Sequence, residues 1–159
     1  MAAAWAATLA IGGAAHAAGN ADAASSAAAE IAGLANRAIA AENAGDMATV
    51  LDCWAAGDHA ILDDFPPFSW RGADALTAWL ADYAKEMARA GETDPVSRIG
   101  PPLSVRAEGG RVYAVFADIY TYKQRGAAIR EDLLWTIVAA RTAQGLKIES
   151  MAFTGGPRK

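Results

Sequence analysis

Four runs of strand-type residues in the second half of the chain constrain the fold most. They are Val96 to Ala107 with Pro101-Pro102 inside it, Val112 to Lys123, Ala127 to Ala140, and Leu146 to Thr154. Gly109-Gly110, Gln124-Arg125-Gly126 and Thr142 to Gly145 join them, and links this short make antiparallel neighbours. The pair of prolines is expected to break the first run.

Helical periodicity precedes these runs. From Ser25 to Ala44, the residues Ile31, Leu34, Ala35, Ala38 and Ile39 recur at threes and fours, with Glu30, Arg37 and Glu42 assigned to the outer surface. Asn43 and Gly45 suit a C-terminal cap, and Asp46 is placed to cap a second helix, Met47-Val50-Leu51-Trp54, ending near Gly57. Ala60-Ile61-Leu62, closed off by Phe65-Pro66-Pro67, reads as a strand. Gly72 to Ala90, with Leu76, Trp79, Leu80, Tyr83 and Met87 in register, reads as a third helix stopped by Gly91. Helices first and a meander afterwards is an α+β order, and 159 residues at 53% hydrophobic content suffice for one core.

Composition excludes several classes. Eighteen acidic against fourteen basic residues, net charge -4, provide no basic surface for nucleic acid. Cys53 is the only cysteine, and His16 and His59 are the only histidines, so neither a disulfide nor a metal site is expected, and no cofactor motif stands out. Cys53 reads as a small buried hydrophobe. Residues 1–24 are Ala-rich, with an apolar run from Ala2 to Ala15 and a small-x-small pattern at Ala15-His16-Ala17. They read as a signal peptide cleaved after Ala17, or else as a disordered leader. The first reading implies a secreted or periplasmic protein and the second a cytoplasmic one; a stable membrane anchor is not expected, because the run is too short and interrupted. The single domain is assigned to 25–156, with 157–159 as a tail.

The residues Arg37 to Asp46, Ala60-Ile61-Leu62-Asp63-Asp64, Trp70-Arg71-Gly72-Ala73-Asp74-Ala75-Leu76, Leu134-Trp135-Thr136-Ile137-Val138 and Lys147-Ile148-Glu149-Ser150-Met151 together resemble the nuclear-transport-factor-2-like superfamily, in its SnoaL-like and ketosteroid-isomerase-like branch. The resemblance spans roughly Ala29 to Gly156. It implies a cone-shaped barrel, a curved antiparallel sheet wrapped around three N-terminal helices. It also implies an apolar pocket for a small apolar or amphipathic molecule, and a homodimer formed through the sheet.

Carried over by position, the isomerase general base falls on Asp64 and the oxyanion tyrosine on Ala38, while no acid stands near Leu134 to Val138 for the protonated aspartate. Ketosteroid isomerisation by that mechanism is therefore not expected. Asp63 and Asp64 alternate to opposite faces, and the resemblance assigns Asp64 to the pocket, with a simple turn-forming role for Asp64 as the alternative. Asp118 shares a strand face with Ala114, Phe116, Tyr120 and Tyr122; it is either a desolvated acid in the pocket or a cross-strand partner of Arg130 or Arg106. Trp54, Phe65, Trp70, Trp79, Tyr83, Phe116, Tyr120 and Trp135 are the candidate pocket aromatics, and core packing is their alternative. Three functions remain open: binding of a small molecule, proton-transfer catalysis of the isomerase, lyase or hydratase class with Asp64 as base, and a structural dimer module whose cavity its own side chains fill.

Overall fold

The computed structural model describes residues 12–155, with side chains from residue 24 onwards. The first residues of the Ala-rich leader and the 157–159 tail lie outside the described residues. Helix α1 runs Gly12–Ala44, beginning well before Ser25, as the high helix propensity of alanine allows. Its backbone therefore carries through the boundary placed between leader and domain.

Gly45, at φ 68°, ends α1, and Asp46 restarts the chain as α2, Met47–Asp52. The Asp46 carboxylate accepts from Thr49 N at 3.1 Å and from Thr49 Oγ1 at 2.7 Å, the capping role read from the sequence. α2 stops at Asp52, short of Gly57. The backbone of residues 53–55 instead joins the sheet: Ile148 N donates to Cys53 O, and Ala55 N to Ile148 O, both at 2.9 Å. Cys53 is fully buried.

Strand β1, His59–Leu62, is followed by β2, Ser69–Gly72, an antiparallel partner in which Ile61 faces Trp70. Gly72, where the third helix is expected to begin, instead closes β2; four residues carry too little periodicity to declare a strand. Helix α3 runs Ala75–Ala90 and ends on Gly91 in the left-handed conformation. Strands β3 (Glu92–Glu108), β4 (Arg111–Gln124), β5 (Ala127–Thr142) and β6 (Gly145–Gly155) complete the described chain. Gly109 and Gly110 both have positive φ, which the two-residue turn between β3 and β4 requires.

The strand order is β2-β1-β6-β5-β4-β3, antiparallel except for the β1–β6 pair, in a curved and unclosed sheet. β3 is an edge strand, so Pro101-Pro102 shifts its register around residue 102 without breaking it. α1 lies against β3 and α3 against β1 and β2. The core between them includes Ile31, Ile61, Phe116, Ile137 and Ile148, each fully buried and each contributing roughly 1.5–3 kcal/mol of transfer free energy.

Candidate functional site

The last turn of α1, the segment after β1, one face of α3 and the concave face of β3 to β6 border a cavity of about 270 Å³. Asp63, rather than Asp64, is the carboxylate held inside its wall. Asp63 Oδ2 accepts the Trp79 indole N–H at 2.9 Å, and Oδ1 accepts Asp64 N at 2.8 Å. Two residues beyond buried Ile61, Asp63 lies on its side of the chain, while Asp64 is exposed at the rim with its carboxylate beside Gly155. Burial pushes the Asp63 carboxyl up to about 6, against the downward pull of its two hydrogen bonds.

Asp118 is 1% exposed and also borders the cavity. Ser97 Oγ donates to one of its oxygens at 3.0 Å and Arg98 N to the other at 3.1 Å. Burial raises its pKa above the ordinary carboxylate range, with those hydrogen bonds opposing. No ion pair with Arg106 or Arg130 forms; Arg130 binds Asp132 instead.

Glu42 was read as a surface residue, yet it faces the cavity. It lies one helical turn beyond Ala38, which is buried, and so continues the apolar stripe of α1. Its carboxyl receives no hydrogen bond. Burial, then the nearby Asp118 and Asp63 charges, lift its pKa to about 7.

Two more polar pairs sit in the wall. The Tyr83 and Tyr120 hydroxyls are 2.6 Å apart; burial raises both, Tyr120 to about 12. Tyr122 donates to Glu131 at 2.6 Å, a pair sequence reasoning did not single out because Glu131 lies in an otherwise ordinary alternating strand.

Of the eight candidate aromatics, Phe65, Trp79, Tyr83 and Tyr120 line the cavity. The other four stand behind it as core. Trp54 bridges to Ile148 and meets His59 edge-on, making His59 half-buried rather than exposed. Trp70 packs on Phe65 and donates to Asp82 at 3.0 Å. Phe116 and Trp135 pack on each other within the sheet layer. Phe153, unnoticed in the sequence, completes a column of near-parallel rings: Tyr83 on Trp79 at 5.6 Å, Trp79 on Phe153 at 6.4 Å, and Phe153 on Trp135 at 6.0 Å.

Solved structures named as nuclear-transport-factor-2-like and ketosteroid isomerase-like share this α+β fold. A nuclear transport factor 2-like protein from Salmonella enterica matches at TM-score 0.68 and 17% identity, over 84% of this chain and 93% of that one. A ketosteroid isomerase-like protein from Erwinia carotovora atroseptica matches at TM-score 0.61 and 16% identity, over 81% and 96%. A type 2 hexachlorocyclohexane dehydrochlorinase matches at TM-score 0.66 and 10% identity, over 82% and 86%. Proteins of this fold thus include an enzyme alongside others of unknown function. No protein-family model and no curated protein sequence matches the chain.

Proposed function

We propose that the protein binds a small molecule in this cavity. The observation that carries the reading is an open 270 Å³ space whose wall presents aromatic rings together with the Glu42 carboxyl, a polar group without a hydrogen-bonding partner. Small-molecule sites typically combine aromatic rings with a few convergent polar groups, and the Glu42 carboxyl has hydrogen-bonding capacity left for a ligand. Native mass spectrometry of protein purified from its source tests it: a retained small molecule, with a melting temperature that drops when the molecule is removed, is the expected result. An empty protein whose melting temperature no small-molecule panel shifts would remove the reading.

Proton transfer is the second reading, favoured by Asp63. A carboxyl at about 6, oriented by Trp79 and facing a cavity, is poised to take and return a proton near neutrality. This moves the candidate base from Asp64 to Asp63. Asp63→Asn would cut turnover by roughly a hundredfold or more, far beyond any accompanying change in ligand affinity.

Export and dimerisation belong to the same proposal. Tyr113 and Leu134 are exposed on the outward face of β4 and β5, which suits a sheet-mediated homodimer. Sedimentation of the purified protein distinguishes dimer from monomer, and N-terminal mapping distinguishes cleavage after Ala17 from an intact leader.

A further inference from the structure

We infer that the ligand of this cavity is a small organic cation, an ammonium group seated between the aromatic rings and the carboxyls of Glu42, Asp63 and Asp118. The inference rests on the small-molecule reading above and specifies its chemistry.

The charge balance of the wall points this way. Among the described residues lining the cavity, Arg89 is the one cation, and Glu86 already holds it through a bond from Nε at 2.8 Å and a second from its terminal nitrogen. Facing it are three carboxyls at the inner end with no basic side chain bonded to any of them. Positive charge is what this group of residues lacks.

Hydrogen-bond polarity separates a cation from a neutral acceptor. A cavity built to keep its acids protonated would place acceptors against them. Here the protein places donors: Trp79 Nε1 and Asp64 N on Asp63, Ser97 Oγ and Arg98 N on Asp118. Each donor favours the ionised carboxylate that burial disfavours, and a bound positive charge would tip that balance to the ionised side. Glu42 has neither donor nor acceptor, which leaves its carboxyl available to the ligand.

The remaining wall fits the same ligand. The Phe65, Tyr83 and Tyr120 rings border the space, and aromatic faces attract ammonium groups. A metal ion fits poorly, because among the described residues no three acid, histidine or cysteine side chains converge on one point. A space of about 270 Å³ suits a compact molecule.

Three probes of nearly equal shape test this: phenyltrimethylammonium, uncharged tert-butylbenzene and anionic benzenesulfonate. Binding is followed by calorimetry and by the indole N–H resonance of Trp79. At pH 8 the ammonium is expected to bind about tenfold or more tightly than the hydrocarbon, with the sulfonate weakest. Glu42→Gln is expected to lower ammonium affinity by roughly fivefold or more and to leave the hydrocarbon within about twofold. Should that variant not fold, the wild-type protein carries the test, since ammonium affinity alone should fall between pH 8 and pH 5. Equal affinity for the hydrocarbon, or preference for the sulfonate, overturns the cation inference and leaves a ligand-binding cavity standing. No binding of any of the three overturns both.

Discussion

Asn43 and Ser97 grip each other in both directions: Asn43 Nδ2 donates to Ser97 O at 2.8 Å, and Ser97 N donates to Asn43 Oδ1 at 2.9 Å. The clamp fastens the end of α1 to β3. On either side of it stand Glu42, next along the helix, and Asp118, which the Ser97 hydroxyl binds. Asn43, in the last turn of α1, thus ties the helix end that carries Glu42 to the strand whose Ser97 binds Asp118.

Breaking this clamp with Asn43→Ala should destabilise the fold by about 1–2 kcal/mol, since it removes two hydrogen bonds and leaves the edge-strand groups to water. Urea denaturation would measure it. A Glu42 pKa that moves toward its ordinary value in the same variant would show that the clamp positions the cavity as well as the helix.

Asp118→Asn removes a negative charge beside Glu42 while keeping its shape. Because that charge raises the Glu42 pKa, the variant should titrate Glu42 below about 7. Carboxyl carbon resonances followed by NMR report the shift directly. An unchanged Glu42 titration would mean the two acids do not sense each other.

Trp79→Phe deletes the indole donor that pulls the Asp63 pKa down. Asp63 should then titrate above about 6, and a proton-transfer reaction depending on its ionised form should shift its pH profile upward by the same amount. The pH–rate profile and the NMR titration should move together.

Stability should fall as pH rises from about 4 to about 8. Glu42 and Asp63 carry folded pKa values of about 7 and about 6, above the 4.5 and 3.8 of the free side chains. In that window the folded chain holds more protons than the unfolded one, so raising the pH favours unfolding. Asp118 acts in the same direction. Asp46, Asp52 and Asp82, whose pKa values are lowered by their partners, act in the opposite sense only at more acid pH. The groups facing the buried acids are Tyr83, Glu86 and Arg89 from α3 and Glu92 from β3. From β4 and β5 come Tyr120, Tyr122 and Glu131. Melting temperatures across this range, flattened in Glu42→Gln, would check the prediction.

The sheet was legible because strand alternation and short links are local signals. The runs at 112–123, 127–140 and 146–154 correspond to β4, β5 and β6 within a few residues. What failed was also local. β2 is four residues long, too brief for any period to register. At Asp63 and Asp64 the positional carry-over from the family misled, whereas alternation from buried Ile61 and exposed Leu62 puts Asp63 inward and Asp64 outward, as found. Glu42 was assigned to solvent by its charge, although its spacing from Ala35 and Ala38 places it on the buried stripe. The acids of the site were therefore visible as residues, and only packing could show which of them face inward.

The ring column from Tyr83 through Trp79 and Phe153 to Trp135 spans α3, β6 and β5. Near-parallel, offset rings in edge-sharing contact resist tilting, so the column works as a strut between helix and sheet. Any guest that nudges Trp79 must press on the whole stack, and Trp135, outside the cavity lining, would register the arrival as a change in its ultraviolet emission. The molecule carries its own optical gauge of occupancy.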